Sequence, residues 1–172
     1  MPIVTTSVAA LRRLASFPID AMLQEIGPLA LVQKASQSPA ALHKQLSRTI
    51  ETEGRPQVAR HALGLMLELD DGMVVPIGKE NPEGSLVFGR AEDVDVQLFD
   101  GSVSSRHAQL RYDAWKRLAW LTDLGSTNGT LVNGKAIQVE VSLGEGNVVT
   151  LGDETAFLFL RTETLYALVR TR

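Results

Sequence analysis

Arg90, Ser104, Thr127 and Asn128 are side chains of the types that hold a phosphate on a protein surface. They fall in three short stretches: Phe88-Gly89-Arg90, Ser104-Ser105-Arg106-His107, and Asp123-Leu124-Gly125-Ser126-Thr127-Asn128-Gly129-Thr130. A phosphate monoester is close to a dianion with strong acceptor oxygens. A reader of it needs a fixed cation, short donors and free backbone N–H groups. Arginine meets two phosphate oxygens at once through its planar fork. Serine and threonine hydroxyls are short donors suited to loop tips, and an asparagine amide is donor and acceptor together.

Other chemistries are less well served. Ser104, His107 and Asp123 have the residue types of a hydrolytic triad, but Ser104 and His107 lie within one turn, and no nucleophile elbow or oxyanion-hole pattern accompanies them. An enzyme is therefore not expected. With only His43, His61 and His107 and no cysteine, the chain offers no metal site, thiol nucleophile or disulfide framework. No cofactor is implied, and the cytoplasm is the expected compartment. No apolar leader follows a basic start, and no stretch approaches membrane-spanning length. Residues 1–60 carry seven Lys/Arg against four Asp/Glu (+3), and residues 61–172 carry ten against sixteen (−6). An acidic C-terminal part is a poor non-specific binder of nucleic acid.

The elements that must position the polar residues are read from hydrophobic period. At 172 residues the chain can hold one ordinary domain and an appendage. Residues 1–60 read as a small helical extension. Ser7 caps a turn with apolar positions Val8, Leu11 and Leu14 or Ala15. Pro18 opens a second partial face, Met22, Leu23 and Ile26, that stops at Gly27-Pro28. Ser38-Pro39 opens a third, lined by Leu42, Leu46 and Ile50. Leu29-Ala30-Leu31-Val32 is ambiguous between helix and strand.

From Ala62 the period becomes 2, with Leu63, Leu65, Leu67 and Leu69 on one face, a turn at Asp71-Gly72, and a return strand Met73 to Ile77. Short strands follow at Leu86–Phe88, Val94–Leu98, His107–Tyr112, Ala119–Asp123, Gly129–Val132, Asn147–Leu151 and Ala156–Arg161, and Asn133-Gly134 reads as a type I′ turn. Many short strands with regular turn signals mean an antiparallel β-sandwich, here spanning 61–161. A short helix over 162–172, with Leu165, Leu168 and Val169 at helical offsets, closes the chain.

Phe88-Gly89-Arg90, Val103-Ser104-Ser105-Arg106-His107-Ala108 and Leu121 to Thr130, with Val132-Asn133-Gly134 beyond, resemble the forkhead-associated (FHA) family in order and spacing over roughly Leu63 to Leu160. The resemblance implies a mainly β fold, a sandwich of about eleven short strands whose loops at one end bind phosphothreonine in a partner protein. It implies that Arg90 and Ser104 contact the phosphate, that Ser105 donates to it through its backbone, and that Thr127 closes the pocket. Asn128 would hydrogen-bond the peptide main chain. His107, with Gly89, Asp123 and Gly129, would support the loops. The partner implied is a phosphothreonine protein downstream of a Ser/Thr kinase, in a signalling adaptor that binds neither nucleic acid nor membrane.

Blander readings accompany these. Arg90 alone is an ordinary strand-end arginine, Ser104 and Ser105 are ordinary turn formers, and Trp120 is expected to pair across the sheet on the face opposite Leu121. A different class of function is a phosphate-independent scaffold or oligomerisation module that uses an apolar helical face over Leu29 to Ile50. The oligomeric state is left open.

Overall fold

A computed structural model describes residues 3–33 and 72–170. The helix expected after Ser38-Pro39, the strand expected over Leu63–Leu69, and Asp71 lie outside the described residues. Within them the chain forms three layers. One sheet has seven strands in the order β1-β3-β2-β12-β11-β8-β9, and the other has five in the order β10-β7-β6-β4-β5. The strands of the first are β1 (Thr6–Ser7), β2 (Leu29–Gln33), β3 (Met73–Ile77), β8 (Thr130–Val132), β9 (Lys135–Ala136), β11 (Val148–Leu151) and β12 (Thr155–Arg161). The second holds β4 (Glu83–Gly89), β5 (Val96–Gln97), β6 (Ala108–Asp113), β7 (Leu118–Asp123) and β10 (Val141–Leu143). All neighbours are antiparallel except β4 and β5, which pair in parallel at Phe88↔Val96 and Gly89↔Gln97. The third layer is helical: α1 (Val8–Leu14), α2 (Ile19–Ile26) and α3 (Thr162–Arg170).

Leu29, Leu31, Val75, Ile77, Val149, Leu151, Phe157 and Phe159 of the larger sheet meet Leu86, Phe88, Leu110, Ala119 and Leu121 of the smaller one. Phe88 and Phe157 pack edge to face at 5.7 Å across this core. The other side of the larger sheet is also covered. Ala30, Val32, Val74, Val148, Ala156, Leu158 and Leu160 pack against Val8, Leu11, Met22, Ile26, Leu165 and Val169 of the helices. Alternate residues of β2 and β12 thus enter two different cores, as the side-chain period of a strand requires.

This double burial corrects the reading of residues 1–60 as a helical extension. α1 and α2 form where the capping and proline signals place them, with the Ser7 hydroxyl accepting from the Ala10 amide at 3.2 Å. Leu29–Gln33, however, is a strand inserted between β3 and β12, paired Leu31↔Val75 and Leu31↔Phe159. Its apolar run is continuous because both faces are buried, which erases the alternation that marks a half-exposed strand. The apolar helical face proposed over Leu29 to Ile50 accordingly does not begin at Leu29.

The two ends of the described chain are tied in. Thr6 and Ser7 pair with Val74 and Met73 of the larger sheet, while the Ile3 amide donates to the Asp95 carbonyl beside the smaller one at 2.9 Å. At the other end, buried Thr162 donates its hydroxyl to the Gly27 carbonyl at 2.5 Å and its amide to the Pro28 carbonyl at 3.0 Å, fixing α3 against the α2–β2 turn. Asn133 and Gly134 have φ of 49° and 78°, as the type I′ turn joining β8 to β9 demands. Among the described residues no helix is long and apolar enough to cross a membrane.

Candidate functional site

Three loops converge at one end of the sandwich, where β4 ends, β6 begins and β7 ends. The first contact is backbone on backbone. Arg90 and Ala91 donate their amides to the carbonyls of Ser104 and Ser105 at 3.0 and 3.1 Å, and His107 donates to Phe88 at 2.8 Å. Such a close crossing leaves no room for a side chain at Gly89. A Cβ there would lie 2.0 Å from the Ser105 carbonyl oxygen, so only glycine lets the serine loop sit against the end of β4.

Arg90 is exposed, and its Nε donates to the Val103 carbonyl at 2.8 Å. That bond spends one of five guanidinium donors and leaves the two terminal amines, which carry no ion pair among the described residues. Its neighbour Arg106 is instead paired with Asp93 at 3.2 Å.

His107 is fully buried and joins all three loops. The Ser104 amide donates to Nδ1 at 3.0 Å, so Nδ1 is the acceptor and the proton sits on Nε2, which donates to the Gly129 carbonyl at 2.9 Å. The hydroxyl oxygen of Ser104 accepts the Thr127 amide at 3.0 Å, and this leaves the hydroxyl proton to be donated elsewhere. Asn128 donates through Nδ2 to the Ser102 carbonyl at 2.9 Å, with its Oδ1 and second amide hydrogen remaining. Ser105, Thr127 and Asn128 are exposed and Ser104 is half-buried.

Asp123 organises the third loop. Its Oδ1 accepts the hydroxyls of Ser126 at 2.5 Å and Thr130 at 2.6 Å, and its Oδ2 accepts the amides of Gly125 and Ser126 at 2.9 and 3.0 Å. Burial opposes ionisation, but these four donors outweigh it and hold the carboxyl below its ordinary range. Gly129 completes the turn at φ 86°, a conformation that favours glycine, and donates to the Ser126 hydroxyl.

The structure therefore brings Arg90, Ser104, Ser105, Thr127 and Asn128 to one end of the sandwich, with Gly89, His107, Asp123 and Gly129 beneath or beside them. A hydrolytic relay is not assembled there. His107 meets the amide of Ser104 rather than its hydroxyl, and Asp123 bonds to its own loop. Nor is any group of three or more metal-ligating side chains placed to hold an ion among the described residues.

Sequence reasoning missed a second carboxylate device. Asp100 accepts the Ser102 amide and hydroxyl at 2.8 Å each and the hydroxyl of buried Thr155 at 2.7 Å. Burial again works against the charge, but these donors outweigh it and lower its pKa. The signal was present as Asp100-Gly101-Ser102, an aspartate two residues before a serine in a turn.

A separate shallow groove of about 560 Å³, on the smaller sheet, is lined by Glu83, Gly84, Ser85, Arg111, Tyr112, Asp113, Lys116 and Trp120. Its cations are already committed. Arg111 lies 4.2 Å over the Trp120 ring and is bidentate with Glu140 at 3.1 and 2.9 Å, and Lys116 is paired with Asp113 at 2.9 Å. Trp120 thus makes the cross-strand pair expected of it, while Leu121 is in the core. Arg90 is better placed for an anion than either groove cation.

Residues 86–152, which contain every one of these loops, match the family model of the FHA domain. FHA domain-containing protein FhaA of Mycobacterium tuberculosis is 43% identical over 88 residues, which is 50% of this chain and 15% of that protein. FhaB of the same species is 36% identical over 72 residues, 41% of this chain and 44% of that protein. The chain thus spans less than half the length of either relative. The solved FHA domain of the CT664 protein from Chlamydia trachomatis aligns with 77% of this chain and 96% of its own, with a TM-score of 0.53 and 22% identity, a likeness of fold.

Proposed function

From a chain whose residues 86–152 match the family model of the FHA domain, we propose a phosphothreonine-dependent protein-binding module that acts as an adaptor in Ser/Thr kinase signalling. One observation carries the reading. Arg90 is locked by its Nε and its amide to the Val103 and Ser104 carbonyls, so it is held against the serine loop while its remaining amines have no carboxylate partner among the described residues. A guanidinium so placed is preorganised for a dianion.

In this reading Arg90 and Ser104 bind the phosphate oxygens, and the Ser105 backbone adds a donor. Thr127 closes the pocket from the third loop. Asn128, half committed to Ser102, uses its Oδ1 and spare hydrogen on the peptide main chain. Gly89, His107, Asp123 and Gly129 act through the loops they hold. Selection of threonine over serine would come from a methyl-sized apolar contact, worth about 1–3 kcal/mol. Charge-assisted bonds of about 1.5–3 kcal/mol each, set against the cost of association, favour micromolar peptides. The unit that binds is the two-sheet sandwich, which recruits β2 from ahead of residue 60. The reading is of a binding module rather than an enzyme, and it places the module in the cytoplasm, where the kinase and its substrate meet.

The test is fluorescence anisotropy with matched phosphothreonine and threonine peptides drawn from a randomised library. The wild-type chain should prefer the phosphorylated form by at least tenfold, and Arg90→Ala should erase that preference with the melting temperature little changed. Equal affinity of the wild type for both peptides removes the proposal.

A further inference from the structure

We propose that Asp100 is a positioning residue of the phosphopeptide site. It does not touch the ligand, but it holds a turn whose last two carbonyls aim Asn128 and Arg90 together. This role rests on the phosphothreonine reading and deepens it: the grip on the phosphate and the grip on the peptide main chain are kept in one geometry by a single carboxylate.

The turn runs from Asp100 to Val103 in the connection between β5 and β6, and the Val103 amide closes it on the Asp100 carbonyl at 3.1 Å. Asp100 fixes it from the first position. Its Oδ1 accepts both the amide and the hydroxyl of Ser102 at 2.8 Å, the local bonding that favours aspartate at the start of a turn. Its Oδ2 accepts the hydroxyl of Thr155 at 2.7 Å, and Thr155 is the buried first residue of β12 in the larger sheet. One carboxylate thus ties a loop of the smaller sheet to the wall shared by both cores.

Two successive carbonyls of that turn carry the site. The Ser102 carbonyl accepts Asn128 Nδ2 at 2.9 Å, and the Val103 carbonyl accepts Arg90 Nε at 2.8 Å. Asn128 comes from the loop after β7 and Arg90 from the end of β4, so two distant stretches of chain are referred to one short backbone. Neighbouring peptide planes are joined by only two soft dihedrals, so a shift at one carbonyl reaches the other. Ser102 is also held from its far side. Its hydroxyl accepts the Asp153 amide at 2.8 Å, and a Cβ at Gly152 would fall 2.6 Å from its carbonyl oxygen. Val103 is anchored in the inner core by its buried side chain. Both oxygens of Asp100 are taken by protein donors, so its removal deletes no contact to the ligand. It frees the guanidinium and the amide to sample rotamers, and a side chain that must be ordered during binding weakens affinity. Asp123 acts differently, because its four bonds shape the backbone of the third loop, whereas Asp100 governs the side chain of Asn128.

The test uses the full chain, a phosphothreonine peptide selected by the wild type and its unphosphorylated twin. D100A should weaken the phosphorylated peptide about tenfold. T155V, which removes only the donor to Asp100 Oδ2, should weaken it about threefold, and it stays measurable if D100A does not fold. D100N keeps an acceptor for Ser102 and can donate its amide to the Thr155 hydroxyl, so it should return affinity to within about threefold of the wild type. Nitrogen-15 NMR well below each melting temperature reads the aim directly. In D100A and T155V the Arg90 Nε–H and Asn128 Nδ2 signals should shift and exchange faster with water. The side-chain amide of Asn133, whose Oδ1 accepts the Val148 amide at 2.9 Å, should stay where it is, whereas a general loss of stability would move all three. Wild-type affinity in D100A and T155V, D100N as weak as D100A, or weaker binding with the Arg90 and Asn128 signals unmoved overturns the positioning role and leaves the phosphothreonine reading intact. A wild type that binds both peptides equally removes that reading and this role with it.

Discussion

Asp123 links loop architecture to solution conditions. Its carboxyl sits below the ordinary value of 3.8 because four donors bond to the ionised form, and Asp100 is lowered in the same way. A carboxylate whose folded value lies below its unfolded one adds stability at any pH above the unfolded value and loses it as pH falls through the folded value. The site end should therefore be the acid-labile part. Melting temperature should be flat from about pH 7 to 5 and fall below about pH 4, and Asp123→Asn should lower the plateau and flatten part of the acid limb. A wild-type limb matched by the variant would show that Asp123 does not supply this stability. At this scale the residue types in the three polar stretches were legible in the sequence, whereas their pairings were not. That Asn128 turns one donor onto Ser102, and that the Ser104 amide rather than its hydroxyl meets His107, follow from backbone crossings between residues far apart in the chain.

Among the elements, β2 departs most from what local pattern suggests. Strands with one wet face, such as β6 and β7, alternate cleanly and were readable, as were the capped helices α1 and α2 and the Asn133-Gly134 turn. β2 is apolar at four consecutive positions because it lies between two cores, and no period distinguishes such a run from a buried helix. β1 and β9, two residues each, are too short to carry any period. Position in the sheet then sets energetic weight. Leu31 is 1% exposed at the centre of the inner core, so Leu31→Ala should cost about 2–5 kcal/mol. A urea titration would measure it, and a loss under about 1 kcal/mol would mean that β2 is dispensable to the sandwich. By the same argument, deleting residues 1–33 should unfold the whole domain and not merely trim it.

Across the whole molecule, the larger sheet is the shared wall of two cores, so the helical layer and the sandwich should not melt separately. Both tryptophans, Trp115 and Trp120, report on the smaller sheet, whereas far-UV ellipticity near 222 nm is weighted toward the helices on the opposite side. Thermal transitions followed by tryptophan fluorescence and by ellipticity should coincide. A helical signal that melts first would show the third layer to be an independent unit. The N-terminal segment has a practical corollary for any such experiment. Because Ile3 bonds to Asp95 in the connection that leads from Arg90 to β5, a fluorophore, affinity tag or surface tether attached ahead of Ile3 is delivered to the side of the molecule that carries the smaller sheet and the connection after Arg90. One attached after α3 emerges from the helical layer, with the larger sheet between it and the smaller one. Anchoring through the C-terminal side keeps the proposed binding face clear.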